Sequence, residues 1–314
     1  MGKVAFVFPG QGAQKVGMGY DISREYPEAM EVFERANESL QIDIKDMCFN
    51  GPEEELIKTE NTQPAILTTS IAILAVIKKY NIDADVTAGL SLGEYASLVY
   101  SGAIEFEDAV RLVKKRGKYM QETVPIGKGT MAAIIGLDRD DVEEIVKEAK
   151  EYGIVEGANY NCPGQIVISG EVSGVEKACE IAKEKGAKKA VMLPVSAPFH
   201  SELLKPAGEK LFEHLKDIEI KNLNKRVISN VTGKYINSSD EIKGLLKDQV
   251  SKPVLWEDSI KLMLDDGIDT FIEIGPGKSL SSFAKKIAKK EDKKITTFSV
   301  RNLKSLEKLL NKMG

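Results

Sequence analysis

Short apolar runs alternate with longer amphipathic stretches along most of the chain. Short segments rich in apolar residues, bounded by turn-forming residues, predict buried strands. The 3.6-residue spacing of the longer stretches predicts helices. The predicted strands are Val4–Phe8, Asp85–Gly89, Arg226–Val231 and Thr270–Ile274, and the predicted helices are Pro64–Tyr80, Glu94–Tyr100 and Phe106–Gln121. This alternation predicts an α/β domain with a mainly parallel sheet.

Residues 127–195 have a different order of elements. They read as strand Thr130–Gly136, helix Asp138–Tyr152, strands Val155–Asn159 and Gln165–Ser169, helix Val172–Lys185 and strand Ala190–Pro194. The order β-α-β-β-α-β is typical of a ferredoxin-like fold. We therefore predict a ferredoxin-like subdomain at 127–195, inserted into an α/β domain formed by 1–126 and 196–314.

The composition excludes several classes of protein. The 314 residues are 42% hydrophobic and 29% charged, as in a globular protein, and the net charge of −4 argues against a nucleic-acid partner. The longest apolar run, Ile71–Ile77, is too short to cross a membrane. Three scattered cysteines suit a reducing compartment, so we expect a cytoplasmic protein. With two histidines and no HExxH or Cys/His cluster, no metal site is expected.

The segment Gly89-Leu90-Ser91-Leu92-Gly93 matches G-x-S-x-G between a predicted strand and a predicted helix. In this context the serine lies on a sharp turn, and the following backbone N–H can donate to an oxyanion. The pattern also fits a plain strand–turn–helix junction. Its flanking elements favour Ser91 as a nucleophile, with the N–H of Leu92 as an oxyanion donor.

A serine nucleophile needs a base, and only His200 and His214 are available. His214 lies among charged residues of a predicted helix, so we interpret it as solvated. His200 lies at a loop-to-helix junction, where the helix N-terminus would keep its imidazole neutral. No acid that would orient this base can be identified from spacing.

The Gly10-Gln11-Gly12 turn could supply a second oxyanion donor. It could also be a phosphate loop, although it has no third glycine and no Walker lysine.

Arg116 occupies the apolar face of its predicted helix, together with Ala109, Val113 and Met120. A buried guanidinium requires an anionic partner, and its planar fork matches a carboxylate. The partner is either an internal Asp or Glu or the carboxylate of a substrate.

Several motifs now occur together in a characteristic order. They are Phe8-Pro9-Gly10-Gln11-Gly12-Ala13-Gln14, Asn61-Thr62-Gln63-Pro64-Ala65, the serine motif extended to Glu94, Lys115-Arg116-Gly117, Pro198-Phe199-His200-Ser201, Gln249-Val250-Ser251-x-Pro253-Val254-x-Trp256 and Ile274-Gly275-Pro276-Gly277. The chain resembles malonyl-CoA:acyl carrier protein transacylases from end to end. One departure is Leu90, where many members carry histidine. The resemblance implies an α/β-hydrolase-like domain with an inserted ferredoxin-like subdomain.

The resemblance also implies roles for individual residues. Ser91 would accept the acyl group, and His200 would be its base, oriented by the backbone carbonyl of Gln249. The remaining roles would be an oxyanion hole from the backbone N–H groups of Gln11 and Leu92, a malonyl-carboxylate contact from Arg116, and a pocket lined by Gln63 and Asn161.

The implied reaction is ping-pong transfer of malonyl from malonyl-CoA to the phosphopantetheine thiol of acyl carrier protein, through a malonyl-serine, for fatty acid synthesis. No cofactor and no membrane contact are implied, and we expect a monomer.

Because the carrier protein is acidic, we predict a basic docking patch at Lys188-Lys189 or at Lys285, Lys286, Lys289 and Lys290, although these could also be ordinary solvated lysines. Two alternatives are a serine thioesterase or other hydrolase on the same serine turn, and a catalytically silent carrier-binding scaffold.

Overall fold

A computed structural model describes residues 2–195 and 197–313, and its strands form two sheets. The five-stranded sheet has the order β7-β2-β1-β8-β9, and its paired strands are all parallel. Its strands are β1 (Lys3–Phe8), β2 (Val86–Gly89), β7 (Arg226–Val227), β8 (Ile268–Ile274) and β9 (Thr296–Val300). The apolar side chains of β1 are buried, as expected for a parallel sheet covered on both faces.

Helices surround this parallel sheet and supply most of the core. The longest, α5, is almost entirely buried and packs against α2 and α7. The helices are α1 (Tyr20–Glu25), α2 (Pro27–Leu40), α3 (Ile44–Asn50), α4 (Glu53–Leu56), α5 (Thr59–Lys79), α6 (Gly93–Tyr100), α7 (Phe106–Glu122), α8 (Arg139–Ala149), α9 (Val172–Glu184), α10 (Lys205–Lys216), α11 (Ser239–Gln249), α12 (Trp256–Asp265), α13 (Ser279–Lys290) and α14 (Leu303–Met313). Short 3₁₀ helices cover Lys150–Tyr152 and Glu202–Leu204.

The second sheet is antiparallel and has the order β4-β5-β3-β6. Its strands are β3 (Gly129–Ile135), β4 (Val155–Cys162), β5 (Gln165–Glu171) and β6 (Lys189–Met192). Together with α8 and α9 they give the β-α-β-β-α-β order of a ferredoxin-like unit. The predicted fold class is confirmed, whereas the domain boundaries at 127 and 195 stay a prediction.

Some elements differ from the sequence prediction. Helix α5 begins at Thr59, five residues before the predicted start, and Pro64 lies inside it. The predicted strand Arg226–Val231 is wrong beyond Val227, because the chain turns there and Ile228 pairs with Tyr235 in a single bridge. Strand β9 was not predicted, because its partly exposed edge sequence lacks a continuous apolar run. Among the described residues, no helix combines the length and the apolar character that a membrane span requires.

The segment after α11 connects the two sheets. The backbone N–H of Tyr160 donates to the carbonyl of Val254 at 3.0 Å, and the N–H of Val254 donates to the carbonyl of Ala158 at 2.8 Å. Strand β4 is therefore attached to a segment that begins only a few residues after Gln249. The N–H of Leu255 donates to the carbonyl of Asn230, after β7, at 2.9 Å, so the same segment also reaches the carboxyl end of the parallel sheet.

Candidate active site

Ser91 lies on the sharp turn between β2 and α6, with a left-handed φ of 52°. A Cβ on Gly89 would lie 1.9 Å from the backbone of Gly93, and a Cβ on Gly93 would lie 2.1 Å from the carbonyl oxygen of Phe8. Only glycine fits at these two positions, because the turn is packed directly against β1. This is the geometry of a nucleophile elbow, which presents a strained serine at the end of a strand.

Asn230 holds this turn in place from a distant part of the chain. Its Oδ1 accepts from the backbone N–H of Ser91 at 2.6 Å, and its Nδ2 donates to the carbonyl of Gly89 at 2.7 Å. The N–H of Ser91 is therefore already engaged. By contrast, the N–H groups of Gln11 and Leu92 donate to no acceptor in the described ranges, so both are free to bind an oxyanion.

Ser91, His200 and Gln249 form a continuous hydrogen-bonded series. The Oγ of Ser91 lies 2.8 Å from Nε2 of His200, and Nδ1 of His200 lies 2.8 Å from the backbone carbonyl of Gln249. Since a carbonyl only accepts, Nδ1 of His200 carries the proton. Nε2 then faces the serine hydroxyl as an acceptor. The structure thus places the predicted nucleophile, base and orienting carbonyl together, and a carbonyl occupies the position of a triad acid.

The environment of His200 keeps its imidazole neutral. Its side chain is only 3% exposed, and burial together with the charge of Arg116 lowers its pKa to about 3, against the opposing effect of the Gln249 carbonyl. The helix N-terminus expected from the sequence is not the cause seen here. A 3₁₀ helix follows His200 and α10 begins only at Lys205, whereas burial and the neighbouring guanidinium act on the imidazole directly.

The guanidinium of Arg116 points into the site and is 1% exposed. Its Nη1 donates to Oε1 of Gln63 at 2.9 Å, and its Nη2 donates to Oγ of Ser91 at 3.1 Å and to Oε1 of Gln249 at 3.0 Å. Over the residues that the structure describes, no carboxylate lies within 4.0 Å of it. A direct internal ion pair, one of the two alternatives, is therefore not seen, and the cation faces neutral acceptors beside the candidate nucleophile.

Three contributions to the site were missed from the sequence: Asn230, described above, the side chain of Gln249 and the carboxyl group of Glu94. The Nε2 of Gln249 donates to Oε2 of Glu94 at 2.5 Å and to the carbonyl of Ser91 at 3.0 Å. Glu94 is fully buried, and burial raises its pKa to about 7 against the hydrogen bonds from Gln249 and Asn230 and the charge of Arg116. An acid within the otherwise apolar helix Gly93–Tyr100 was the available signal.

The remaining predicted residues lie at different distances from this network. Gln63 contacts Arg116 directly, as described. Asn161 is buried in β4, and no hydrogen bond links it to the residues above among those described, so its lining role stays a prediction. His214 is half-buried on α10 rather than fully solvated, because Tyr119 Oη lies 2.7 Å from its Nε2 and Lys115 Nζ lies 3.0 Å from its Nδ1.

A cavity of about 430 Å³ lies next to the candidate site. Gln11 and Phe199 line it, so it adjoins both the glycine turn and the loop that carries His200. Its other walls include Ile57 from the α4–α5 connection, Ile126 after α7, and Val195 after β6. The cavity thus has a partly apolar lining from both the parallel-sheet region and the end of the antiparallel-sheet region.

The fold and this geometry agree with comparisons to known proteins. Residues 5–310 match the family described as the acyl transferase domain, so the chain belongs to that family. It is 48% identical over 308 residues to the malonyl CoA-acyl carrier protein transacylase of Bacillus subtilis (strain 168), which covers 98% of this chain and 96% of the relative. The resemblance drawn from the motifs is confirmed.

Solved structures give the same result. The malonyl CoA-acyl carrier protein transacylase from Clostridium perfringens Atcc 13124 has a TM-score of 0.95 and 53% identity, covering 99% of this chain and 97% of that one. A second structure contains a type II PKS acyl-carrier protein in complex with its malonyl-transacylase. It has a TM-score of 0.95 and 40% identity, and covers 98% of this chain and 99% of that one.

The depressed pKa of His200 predicts a neutral imidazole throughout the neutral range. Because the chain contains two histidines, the Cε1–H resonances can be followed by NMR in protein labelled with ¹³C-histidine and assigned with a His214→Gln variant. We expect the His200 resonance to show no protonation step between about pH 8 and about pH 5, since an ordinary histidine titrates near 6.5. A protonation midpoint between about pH 6 and 7 would contradict the burial argument.

Proposed function

We propose that this chain transfers a malonyl group from malonyl-CoA to the phosphopantetheine thiol of acyl carrier protein through a malonyl-Ser91 intermediate. The observation that carries the proposal is the buried guanidinium of Arg116, 3.1 Å from the Ser91 hydroxyl and without a carboxylate partner in the described chain. An acyl group attached to Ser91 with a carboxylate at its far end would supply the missing anion. The names of the relatives agree with this substrate and acceptor.

The acylation step follows from the hydrogen-bonded series. His200 Nε2 takes the proton of the Ser91 hydroxyl while Oγ forms a bond to the thioester carbon. The backbone N–H groups of Gln11 and Leu92 stabilise the oxyanion, and one such donor contributes roughly 10²–10³ in rate. The carbon–sulfur bond then breaks, and CoA leaves as a thiol with the proton from His200. The carrier thiol reverses these steps on the malonyl-serine, and Ser91 regains its proton.

Arg116 has a different set of partners once substrate is present. In the free protein its Nη2 donates to Oγ of Ser91, which also faces His200. A malonyl carboxylate accepts two parallel hydrogen bonds from the guanidinium and is a stronger acceptor than a hydroxyl. Substrate binding would therefore draw the guanidinium away from Oγ and leave that oxygen free to attack. An acetyl group has no carboxylate and cannot cause this exchange.

Thioester exchange transfers no electrons, so we infer that the reaction requires no redox cofactor, and no step above uses a metal. All the groups named come from one chain, which supports action as a monomer. A cytoplasmic location is proposed from the sparse cysteines, each of which is free and buried. The alternative of a serine thioesterase is not favoured, because the relatives are named as transacylases.

A rapid-quench experiment distinguishes transfer from hydrolysis. Protein mixed with malonyl-CoA in EDTA should release one CoA per active site and then stop until carrier protein is added, because the cleft protects the ester from water. Mass spectrometry should locate the malonyl adduct on Ser91, and a Ser91→Ala variant should release no burst. Steady CoA release without an acceptor would favour the thioesterase, and the absence of any adduct would favour the silent scaffold.

An Arg116→Ala variant should lose selectivity for the diacid. We expect malonyl transfer to fall by about 10²-fold, since removing one member of a buried charge pair costs several kcal/mol. Acetyl transfer should rise relative to malonyl transfer, measured as adduct formation in a mixture of both thioesters. Arg111→Ala, an exposed arginine of the same helix, is the matched control and should behave as wild type. Unchanged selectivity in Arg116→Ala would remove the proposed carboxylate contact.

One lysine from each of the two predicted docking clusters, Lys189 and Lys286, lies on the same surface. Gln165 on β5 and Lys189 on β6 both pair with Ile135 of the intervening strand, so their side chains lie on one face of the sheet. Lys286 of α13 reaches that row, with its Nζ 3.5 Å from Oε1 of Gln165. No ion pair engages Lys189 or Lys286 within the described chain. We propose that this joint surface receives the acidic carrier protein.

Charge reversal tests the docking surface. A Lys189→Glu, Lys286→Glu double variant should raise the KM for carrier protein several-fold at low salt and less at high salt, because local potential governs the encounter. The rate of acylation by malonyl-CoA should not change. A Lys78→Glu, Lys308→Glu double variant, at exposed positions of α5 and α14, makes the same charge change elsewhere on the surface. An unaltered KM for carrier protein would show that docking occurs on another face.

A further inference from the structure

Gln249 contacts both the base, His200, and the proposed carboxylate-binding group, Arg116. Its backbone carbonyl accepts from Nδ1 of His200 at 2.8 Å, and its side-chain Oε1 accepts from Nη2 of Arg116 at 3.0 Å. It lies at the last position of α11 and is fully buried. A displacement of this residue would therefore misplace the base and the carboxylate-binding group together.

The amide of Gln249 can be placed in two orientations, and its neighbours select one. Its Nε2 faces Oε2 of Glu94 at 2.5 Å, and its Oε1 faces the guanidinium of Arg116. Rotating the amide by 180° would place an oxygen against a carboxylate and an N–H group against a guanidinium. The flipped oxygen would also face the carbonyl of Ser91, which lies 3.0 Å from Nε2; because a carbonyl only accepts and a guanidinium only donates, the flipped amide would be repelled at both ends. Glu94 and Arg116 thus fix the amide from opposite ends.

Glu94 is itself held by the turn that carries the nucleophile. It follows Ser91 by three residues on α6, and its Oε2 also accepts from the backbone N–H of Asn230 at 3.1 Å. The side chain of Asn230 binds the elbow on both sides of the serine, as described above. A single carboxylate oxygen therefore connects the elbow, the Asn230 loop and Gln249.

We propose that Glu94 is a positioning residue that orients the amide of Gln249 and thereby sets both Arg116 and His200 relative to Ser91. Glu94 has no hydrogen bond to Arg116, His200 or the Ser91 hydroxyl in the described structure, so it acts through Gln249. This proposal rests on the proposed malonyl transfer only because its test uses malonyl-CoA as an acyl donor. The proposal thus gives the site a buried acid, Glu94, which contacts Gln249 and not His200.

The test compares Glu94→Ala with Glu94→Gln. Single-turnover acylation of Ser91 should slow by about 10²-fold in Glu94→Ala, the scale of effect expected when reacting groups are misplaced by about 1 Å. The ratio of malonyl to acetyl acylation should also fall by about tenfold, because Arg116 is no longer directed. Glu94→Gln keeps an amide oxygen where Oε2 lies, so it should recover most of the rate and of the ratio. A purely structural role would not shift the ratio.

Two further variants keep the test decisive. Gln249→Ala leaves the backbone carbonyl in place and should reproduce the fall in the malonyl-to-acetyl ratio, even if Glu94→Ala yields no folded protein. In the double variant Glu94→Ala, Gln249→Ala, the acylation rate and the ratio should fall no further than in the more impaired single variant, because the two residues act in series.

Glu273 provides a matched control. Like Glu94, it is fully buried, but it lies on β8, and its oxygens accept from the backbone N–H groups of Leu280 and Ser281 at the start of α13. Glu273→Ala should lower the unfolding temperature without changing the ratio, measured where the protein remains folded.

The possible outcomes separate the two proposals. A wild-type protein that forms no malonyl adduct would refute the proposed function. If the wild type acylates, and Glu94→Ala or Gln249→Ala acylates with an unchanged rate and ratio, only the role of Glu94 is refuted. It is also refuted if Glu94→Ala and Glu273→Ala shift the ratio equally, or if Glu94→Gln is as impaired as Glu94→Ala.

Discussion

The site is organised around a positive charge that is removed from water and has no carboxylate beside it among the described residues. The guanidinium of Arg116 is 1% exposed, and its hydrogen-bond partners are the neutral oxygens of Gln63, Ser91 and Gln249. Its carbon also lies 5.5 Å from the ring centre of Tyr95, where the face of the ring attracts a cation. Burying an uncompensated charge is costly, so each neighbouring side chain must present an acceptor to it. This requirement explains why two glutamine side chains occupy positions where apolar residues would otherwise pack.

The same charge governs the chemistry of His200. A triad aspartate stabilises the imidazolium that forms during acyl transfer. Here a neutral carbonyl takes that position, while burial and Arg116 lower the pKa of the imidazole. A weak base of this kind binds the serine proton only transiently and returns it readily to a departing thiol. Such behaviour suits a reversible exchange between two thiols, in which the same proton moves between the serine oxygen and a thiol sulfur in both steps.

Compensation for the arginine comes from a distance. Glu94 is the acid whose field acts on Arg116, and Gln249 lies between them, so each ion contacts an end of one amide. The arrangement keeps the carboxylate-binding position open, because a direct ion pair would fill it. Val254, five residues after Gln249, joins β4 through two backbone hydrogen bonds.

Local pattern was sufficient wherever function depended on residues close together in the chain. The strand–serine–helix turn identified Ser91, and helical periodicity showed that Arg116 faces inward, because both are properties of a single element. Pattern alone did not show what those residues would meet. Asn230 contacts Ser91 across 139 residues of chain, and Gln249 contacts Glu94 across 155. Likewise, the sequence identified two lysine clusters but not that Lys189 of one and Lys286 of the other lie on one face. Periodicity records which face of an element is buried, whereas the partner buried against it is set only when the sheets and helices pack together. That packing decided the pKa of His200, the orientation of Gln249 and the absence of a carboxylate beside Arg116 in the described chain.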